Sequence, residues 1–373
     1  MTINNDTQLL GPAHGCNSGS LAHRPPSIKD IARLANVSHS TVSRALQNSG
    51  LVRAETAERI RQIARESGYR ASAVARGLVM KKTLTIGVVV TTIADPFVAE
   101  VVSGIEDVAD DHGYSVFLAQ SNADPQREQN VVQSFAERRV DGILITSSRV
   151  GAMYLARLSQ MMVPIVLINN QHPGTFTHSV MIENVEASRK ATEYLIGLSH
   201  CRIAYLGDQF GYQSDTERFT GYRQALEHAG LRFLPELVVH GDGKAEGGAQ
   251  AMQKLLALGD RPTAVFCYND MSAFGALRTI HRGGLRVPED ISVVGFDDLF
   301  VALYTRPALT TVRQPMRQMG VLAMESLLKL MSGEQSAQSI KVPAELIVRE
   351  STAAALGLTP LPCGDRCRIP GTA

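Results

Sequence analysis

No uninterrupted apolar run in the 373 residues reaches the roughly 18 that a membrane span needs, so no crossing of a bilayer is expected. The first two dozen residues lack a basic start followed by an apolar core, so they do not read as a secretory signal, and a cytoplasmic location follows. Cysteine is scarce: Cys16, Cys201, Cys267, Cys363 and Cys367 are odd in number and scattered, which argues against a disulfide framework and for reduced thiols. Cys363 and Cys367 have no histidine nearby, and the histidines are dispersed without H-E-x-x-H spacing, so no metal site is expected. The stretch TTIADPF after the first strand of the large domain holds no G-x-G-x-x-G. GDGKAEGG at 241–248 contains Gly and Lys but not the phosphate-loop spacing. Without a nucleophile, paired carboxylates or a phosphate cradle, neither catalysis nor a cofactor is expected.

What is present is a local charge. The chain totals +1, yet residues 25–82 carry 11 basic side chains against 4 acidic ones, a local +7 that leaves −6 for the remainder. An electrostatic footprint is a local property, so a polyanion is expected to bind there. Residues 1–24 are polar, rich in Gly, Asn and Ser, and read as a disordered arm closed off by Pro25 and Pro26. Three short helices follow in a headpiece over 25–70. Ser27 with Asp30 has capping-box spacing, and Ile28, Ile31, Ala32, Leu34 and Ala35 are the expected buried stripe of the first. Ser38 caps a second over about His39 to Leu46, with Val42, Ala45 and Leu46 inward; a third runs from about Ala54 to Ser67, with Ile60, Ile63 and Ala64 inward and Gly68 as its stop.

A helix, a tight turn and a second helix with small, hydroxylated exposed residues suit entry into a DNA major groove. His39, Ser40, Thr41, Ser43 and Arg44 are the exposed candidates. Arg can contact guanine in bidentate fashion, and Ser and Thr can bond to bases or phosphates. The alternative is a three-helix cluster that docks on protein; the +7 charge favours double-stranded DNA.

From Thr83 onward, short apolar runs alternate with amphipathic stretches, the signature of parallel sheets with helices on both faces. Strands are expected at 83–90, 114–120, 142–146, 164–169, 179–183, 202–207, 236–241, 264–268, 292–296 and 309–314. Ten strands exceed one ordinary sheet, so two lobes with a ligand cleft between them are expected. The fold class is therefore an all-α helix-turn-helix headpiece plus an α/β domain of two doubly wound parallel-sheet lobes. Ligands bind such folds at the carboxyl ends of strands, where Asp95, Phe97, Asn169, Asn170, Tyr268, Asn269, Asp270, Phe296, Asp297 and Asp298 fall. Short carboxylates and carboxamides around aromatic faces suit a polyhydroxylated ligand. Each also has a plainer reading: Asp95, Asn169 and Asp297 as helix caps, Tyr268 and Phe296 as core, Asp270 and Asp298 as caps or hinge contacts.

Residues 27–78 resemble, without a gap, the headpiece of the lactose repressor (LacI/GalR) family. They match its D-[IV]-A-x-x-A-x-V-S-x-x-T-V-S-R-x-L signature at Asp30, Ile31, Ala32, Ala35, Val37, Ser38, Thr41, Val42, Ser43, Arg44 and Leu46. The resemblance continues to about residue 356 through VDGILI, VPIVLIN, RPTAVFCYND, LRVPEDISVVGFDD and RPALTTVRQP, and implies a periplasmic-binding-protein-like domain. It implies a hinge helix within 71–82, in SAVARGL, whose Leu78 would wedge into the minor groove at the centre of a pseudo-palindromic operator; a plain linker helix is the alternative. Ser27, Ser38, Tyr69, Ser72, Val74 and Ala75 complete the DNA-contacting set, and Arg218 matches the family's ligand-binding arginine, although it could instead pair with Glu217.

The implied boundaries are a two-lobed domain at 83–356, its first lobe about 83–181 and 312–341 and its second about 182–311 and 342–356, with an irregular tail at 357–373. Departures from the family are Asn169 and Glu183, where Asp is common, and Ser199 and Cys201 in place of Gly and a basic residue around His200. The expected function is a sequence-specific repressor controlled by a small molecule, a sugar or sugar acid before a nucleobase or nucleoside. The alternatives are a periplasmic-type binding or transport protein, or an activator controlled by a partner protein. The tail holds no leucine heptad, so a homodimer is favoured over a tetramer.

Overall fold

A computed structural model describes residues 26–47, 49–69, 82–150, 163–171, 178–334 and 339–355. The arm, the hinge segment with Ser72, Val74, Ala75 and Leu78, the tail, and Cys16, Cys363 and Cys367 lie outside the described residues. The chain divides into two compact units, Met1–Met80 and Lys81–Ala373.

Among its described residues the first unit holds three helices: α1 (Ile28–Ala35), α2 (His39–Leu46) and α3 (Ala54–Glu66). At the start of α1 the Ser27 amide and hydroxyl both donate to the Asp30 carboxylate, at 2.9 and 2.6 Å. The inward stripe of α1 is Ile31, Ala32 and Ala35, whereas Leu34, expected to be inward, is 64% exposed. At 100° per residue Leu34 lies roughly 100° from the centre of that stripe, which explains the difference. Val42 and Ala45 of α2 share one core with Ala57 and Ile60 of α3, Ala64 is buried too, and Leu46, Ile63 and Tyr69 pack half-buried around that core. Arg59 on α3 donates to the carbonyl of Ala35 at 2.7 Å, placing a cation at the negative end of α1.

The second unit contains β1 (Thr85–Val90), α4 (Pro96–Asp111), β2 (Ser115–Gln120), α5 (Pro125–Glu137), β3 (Gly142–Thr146), β4 (Ile165–Ile168) and β5 (Ser179–Ile182). There follow α6 (Asn184–Gly197), β6 (Ile203–Asp208), α7 (Gln213–His228), β7 (Val238–Gly241), α8 (Ala245–Leu256), β8 (Ala264–Cys267), α9 (Asp270–Arg282) and β9 (Ser292–Asp297). The described part closes with β10 (Thr310–Arg313), α10 (Met316–Met331), β11 (Ile340–Val342) and β12 (Glu345–Ile347). Two six-stranded sheets result, ordered β11-β5-β4-β3-β1-β2 and β12-β10-β9-β8-β6-β7. Every pairing is parallel except β12 against β10. The ten expected strands form; β11 and β12, three residues each, carry too little apolar periodicity to have been read from the sequence.

Three crossings join the lobes, between β5 and α6, β10 and α10, and β11 and β12. Thr310–Arg313 lies wholly in the second sheet and Val342 pairs with Ile182 in the first, so the expected boundaries at 181/182, 311/312 and 341/342 all move toward the C-terminus. Backbone pairing decides these positions, and apolar runs do not reveal it. The chain returns to the first lobe through α10, which packs on α4. A Cβ on Gly104 would stand 2.0 Å from the Arg317 carbonyl oxygen, and one on Gly320 2.1 Å from that of Val101. Only glycine allows so close an approach of two helix backbones. Ser199 holds φ +66°, the left-handed conformation that makes glycine the easier residue there.

Candidate DNA-reading helix and effector cleft

In the headpiece, Ser38 begins α2 with its hydroxyl accepting from the Thr41 amide at 3.1 Å. That hydroxyl also meets Ser40 Oγ and Thr41 Oγ1 at 2.8 Å each. Three of the expected readers thus form one hydroxyl cluster that fixes the first turn of the helix. His39, Ser40 and Arg44 are exposed, and Thr41, Ser43 and Ser27 half-buried. Charge is not evenly available. Arg61 and Arg65 share Glu58 and Arg33 pairs with Asp30, while Arg44 stands exposed on α2. Tyr69, also expected to touch DNA, is half-buried against the headpiece core.

In the second unit the strand-end residues fall into two groups. Asp95 caps α4, its carboxylate accepting from the Phe97 amide at 3.0 Å, and burial raises its pKa against that bond. Asn169 follows β4 at φ +52°, buried, with Oδ1 unpartnered. Its carbonyl accepts from Gln171 Nε2 at 2.8 Å. Gln171 Oε1 accepts from the Ser214 amide and hydroxyl at 3.1 and 2.8 Å, and Ser214 Oγ meets the Tyr268 hydroxyl at 2.9 Å. These bonds run from the first lobe to the second. Arg149, after β3, adds another link: it donates to the Phe210 carbonyl at 3.2 Å and lies 4.9 Å from the Tyr212 ring centre. Arg149, Gln171, Tyr212 and Ser214 were not among the expected residues.

In the second lobe Arg218 is only 2% exposed. It donates to Asn184 Oδ1 at 3.0 Å and to the Tyr268 carbonyl at 2.6 Å, and sits 3.6 Å from the Phe296 ring centre. Pairing with Glu217 does not occur; Glu217 instead accepts from Asn184 and Gln213. Phe296 is fully buried, one face under Arg218, so it supports the arginine. Asn269 caps α9 through Ser272 and holds the Gly243 carbonyl at 2.8 Å, which occupies both ends of its carboxamide. Asp297 is no cap. It lies at φ +130°, accepts from Gln314 Nε2 at 2.5 Å, and burial holds its carboxyl well above the usual range, opposed by Arg218 and reinforced by Asp270 and Asp95. A non-glycine residue at such a φ is strained by about 1–3 kcal/mol, a cost often found at functional sites. Asp270 and Asp298 serve the frame: Asp270 accepts from Thr311 and the Leu299 amide, and Asp298 pairs with Arg313 and Arg349.

One residue the strand-end rule should have found is Asp208, the last residue of β6, 3% exposed. Its Oδ1 accepts from the Phe210 amide at 2.6 Å, and its Oδ2 is unpartnered. Burial raises its pKa to about 6, opposed by the Phe210 amide and Arg149 and reinforced by Asp215 and Asp242. Tyr212 feels Arg149, Asp208 and Asp95 together, so carboxylates from both lobes converge there.

The headpiece at 27–72 matches the model for bacterial regulatory proteins of the lacI family, and residues 192–352 match a periplasmic binding protein-like domain. The HTH-type transcriptional repressor PurR of Aliivibrio salmonicida is 34% identical, covering 87% of this chain and 98% of its own length. The repressor CytR of Escherichia coli is 36% identical, covering 88% and 96%. The chain belongs to the LacI family. Among solved structures, a lactose repressor dimer bound to operator and the anti-inducer ONPF superposes with a TM-score of 0.82 at 30% identity, covering 89% of this chain and all of that one. A CelR–cellobiose complex gives a TM-score of 0.68 at 31% identity, covering 87% of this chain and 99% of that one. This LacI-family member is a DNA-binding transcriptional repressor with an effector-binding second unit. Its relatives are repressors, not enzymes. No helix among the described residues is long and apolar enough to cross a membrane.

Proposed function

We propose that this repressor binds a pseudo-palindromic operator as a homodimer in the cytoplasm, and that a sugar or sugar derivative held between the lobes sets its operator affinity. It needs no catalytic group. The observation that carries the effector reading is the chain of bonds Asn169–Gln171–Ser214–Tyr268–Arg218, which links the strand ends of the two lobes. A ligand that enters this wall changes how the lobes meet, and so has the differential affinity for two states that control requires. Dimerisation is supported by the lactose repressor dimer among the similar structures, and by apolar side chains that a monomer would leave in water: Phe300, Leu303 and Tyr304 are 69, 57 and 77% exposed.

For DNA, the proposed readers are His39, Ser40, Thr41, Ser43 and Arg44. Ser27, Ser38 and Tyr69 position them, and Ser72, Val74, Ala75 and Leu78 contribute from the hinge. Asp95, Phe97, Asn169, Arg218, Tyr268, Asn269, Phe296 and Asp297 form the effector site or support it. A mobility shift on a palindrome selected from random DNA tests the first half: Arg44→Ala and Leu78→Ala weaken binding, with Arg44→Ala also flattening the salt dependence. Unchanged affinity in both variants overturns the reading. For the second half, a thermal-shift screen of neutral sugars should give a compound that changes operator affinity and whose effect Arg218→Ala removes.

A further inference from the structure

Several buried side-chain atoms of the second unit have no hydrogen-bond partner, among them Asp208 Oδ2, Asn169 Oδ1, Gln314 Oε1 and the hydroxyls of Ser188 and Ser272. Arg149 and Arg218, the two guanidinium groups of the cleft, already donate to the protein. Arg149 donates to the carbonyls of Ala123 and Phe210 at 3.3 and 3.2 Å, and Arg218 to the carbonyl of Tyr268 and the carboxamide of Asn184. Of these unpartnered atoms Asp208 Oδ2 alone belongs to a carboxylate, and Asn169 Oδ1 is its counterpart on the other lobe. Leaving such an atom unmatched costs about 1–3 kcal/mol or more when it is charged, so its position calls for a partner that the protein does not itself supply.

Its surroundings place it in the proposed effector site. Gly243, at φ +74°, leaves room for a Cβ that would stand 3.7 Å from Asp208 Oδ2, 3.7 Å from Asn269 Nδ2 and 3.9 Å from Tyr268 Cε1. The free carboxylate oxygen therefore lies beside two residues already expected in the site. Asp242 lies near enough to act on Asp208, and Asp95 on Tyr212, with Arg149 facing both groups.

We infer that Asp208 is a specificity-determining residue of the effector site, accepting a hydrogen bond from a hydroxyl or an amine of an uncharged or cationic polyhydroxyl effector and excluding sugar acids and sugar phosphates. This rests on the cleft being the effector site, and it narrows the ligand class there. A ligand carboxylate or phosphate brought against Asp208 would set like charges together in a buried place, while a ligand hydroxyl or ammonium completes its open oxygen.

The test uses the full-length protein and matched probes that differ chiefly in charge: glucose, glucosamine, glucuronate and glucose 6-phosphate, ribose with ribose 5-phosphate, and adenosine with its monophosphate. Calorimetric titration at neutral pH should show binding by an uncharged or amine member, with its acid or phosphate counterpart at least about tenfold weaker. Asp208→Asn, which keeps the acceptor for the Phe210 amide, should bind that member at least about tenfold more weakly while its circular dichroism stays that of the folded wild type. An acid or phosphate that binds more tightly than its neutral counterpart overturns the inference and leaves the effector cleft standing. So does a folded Asp208→Asn protein that binds the neutral member as well as the wild type. If no probe of any charge binds, the sugar-effector reading of the cleft fails and this inference falls with it. The preference among probes by the wild-type protein decides the matter even if the variant folds poorly.

Discussion

Asp208→Asn should stabilise the two-lobed unit at neutral pH and leave it nearly unchanged in mild acid. The folded carboxyl is raised from 3.8 to about 6, chiefly by burial. Between those values the unfolded chain has released a proton that the folded chain still holds, so the wild-type contribution of this group to stability falls as pH rises through that window and the full cost is present above it. A shift of about two units at about 1.4 kcal/mol per unit bounds that cost near 3 kcal/mol, and water reaching the cleft reduces it to about 1–2 kcal/mol. Asn lacks the charge yet still offers an oxygen to the Phe210 amide. Because the chain has no tryptophan, urea unfolding is best followed by far-ultraviolet circular dichroism. Asp95, Asp270 and Asp297 are raised in the same direction, so the informative quantity is the variant minus wild-type difference across pH. That difference should grow from near zero at about pH 4 to about 1–2 kcal/mol at about pH 7.5. An offset that does not change with pH, or a loss of stability at neutral pH, refutes the reasoning. A gain would mean that the residue is retained for something other than stability, as a ligand contact would be.

Three further outcomes follow from the packing. Ser38→Ala removes the acceptor of the Thr41 amide and should weaken α2 by about 1 kcal/mol, seen as faster hydrogen exchange at Thr41; unchanged exchange would show that the cap is idle. Gly320→Ala drives a Cβ to 2.1 Å from the Val101 carbonyl, so α10 must shift off α4, and a loss of about 2 kcal/mol or more should lower the melting temperature by several degrees. An unaltered melt would contradict the close approach. Gln171→Ala takes both acceptor contacts from Ser214 and should cost about 1–3 kcal/mol of inter-lobe stability, read as lost exchange protection at the Ser214 amide; retained protection would mean that the lobes are held together elsewhere.

What is local could be read from the order of the amino acids. The Ser27–Asp30 box and the Ser38 cap are set by residues three apart, the ten longer strands announce themselves as apolar runs, and a family signature of eleven matched positions marks the headpiece. Charge along the chain located the DNA-binding unit for the same reason, since it is a property of neighbours. Tertiary structure decided what depends on partners far apart in the chain. Leu34 is apolar yet faces water, because helix phase against α2 and α3 settles burial. Short β11 and β12 exist only through pairing with β5 and β10. Arg218 was readable as a candidate for the site, but its bonds to Asn184 and Tyr268, 34 and 50 residues away, were not. Asp208 shows the division most plainly. Its place at the end of a strand was readable, whereas the unmatched oxygen that gives it meaning arises only when β6 and α7 fold around it and bury one carboxylate oxygen beyond the reach of any donor.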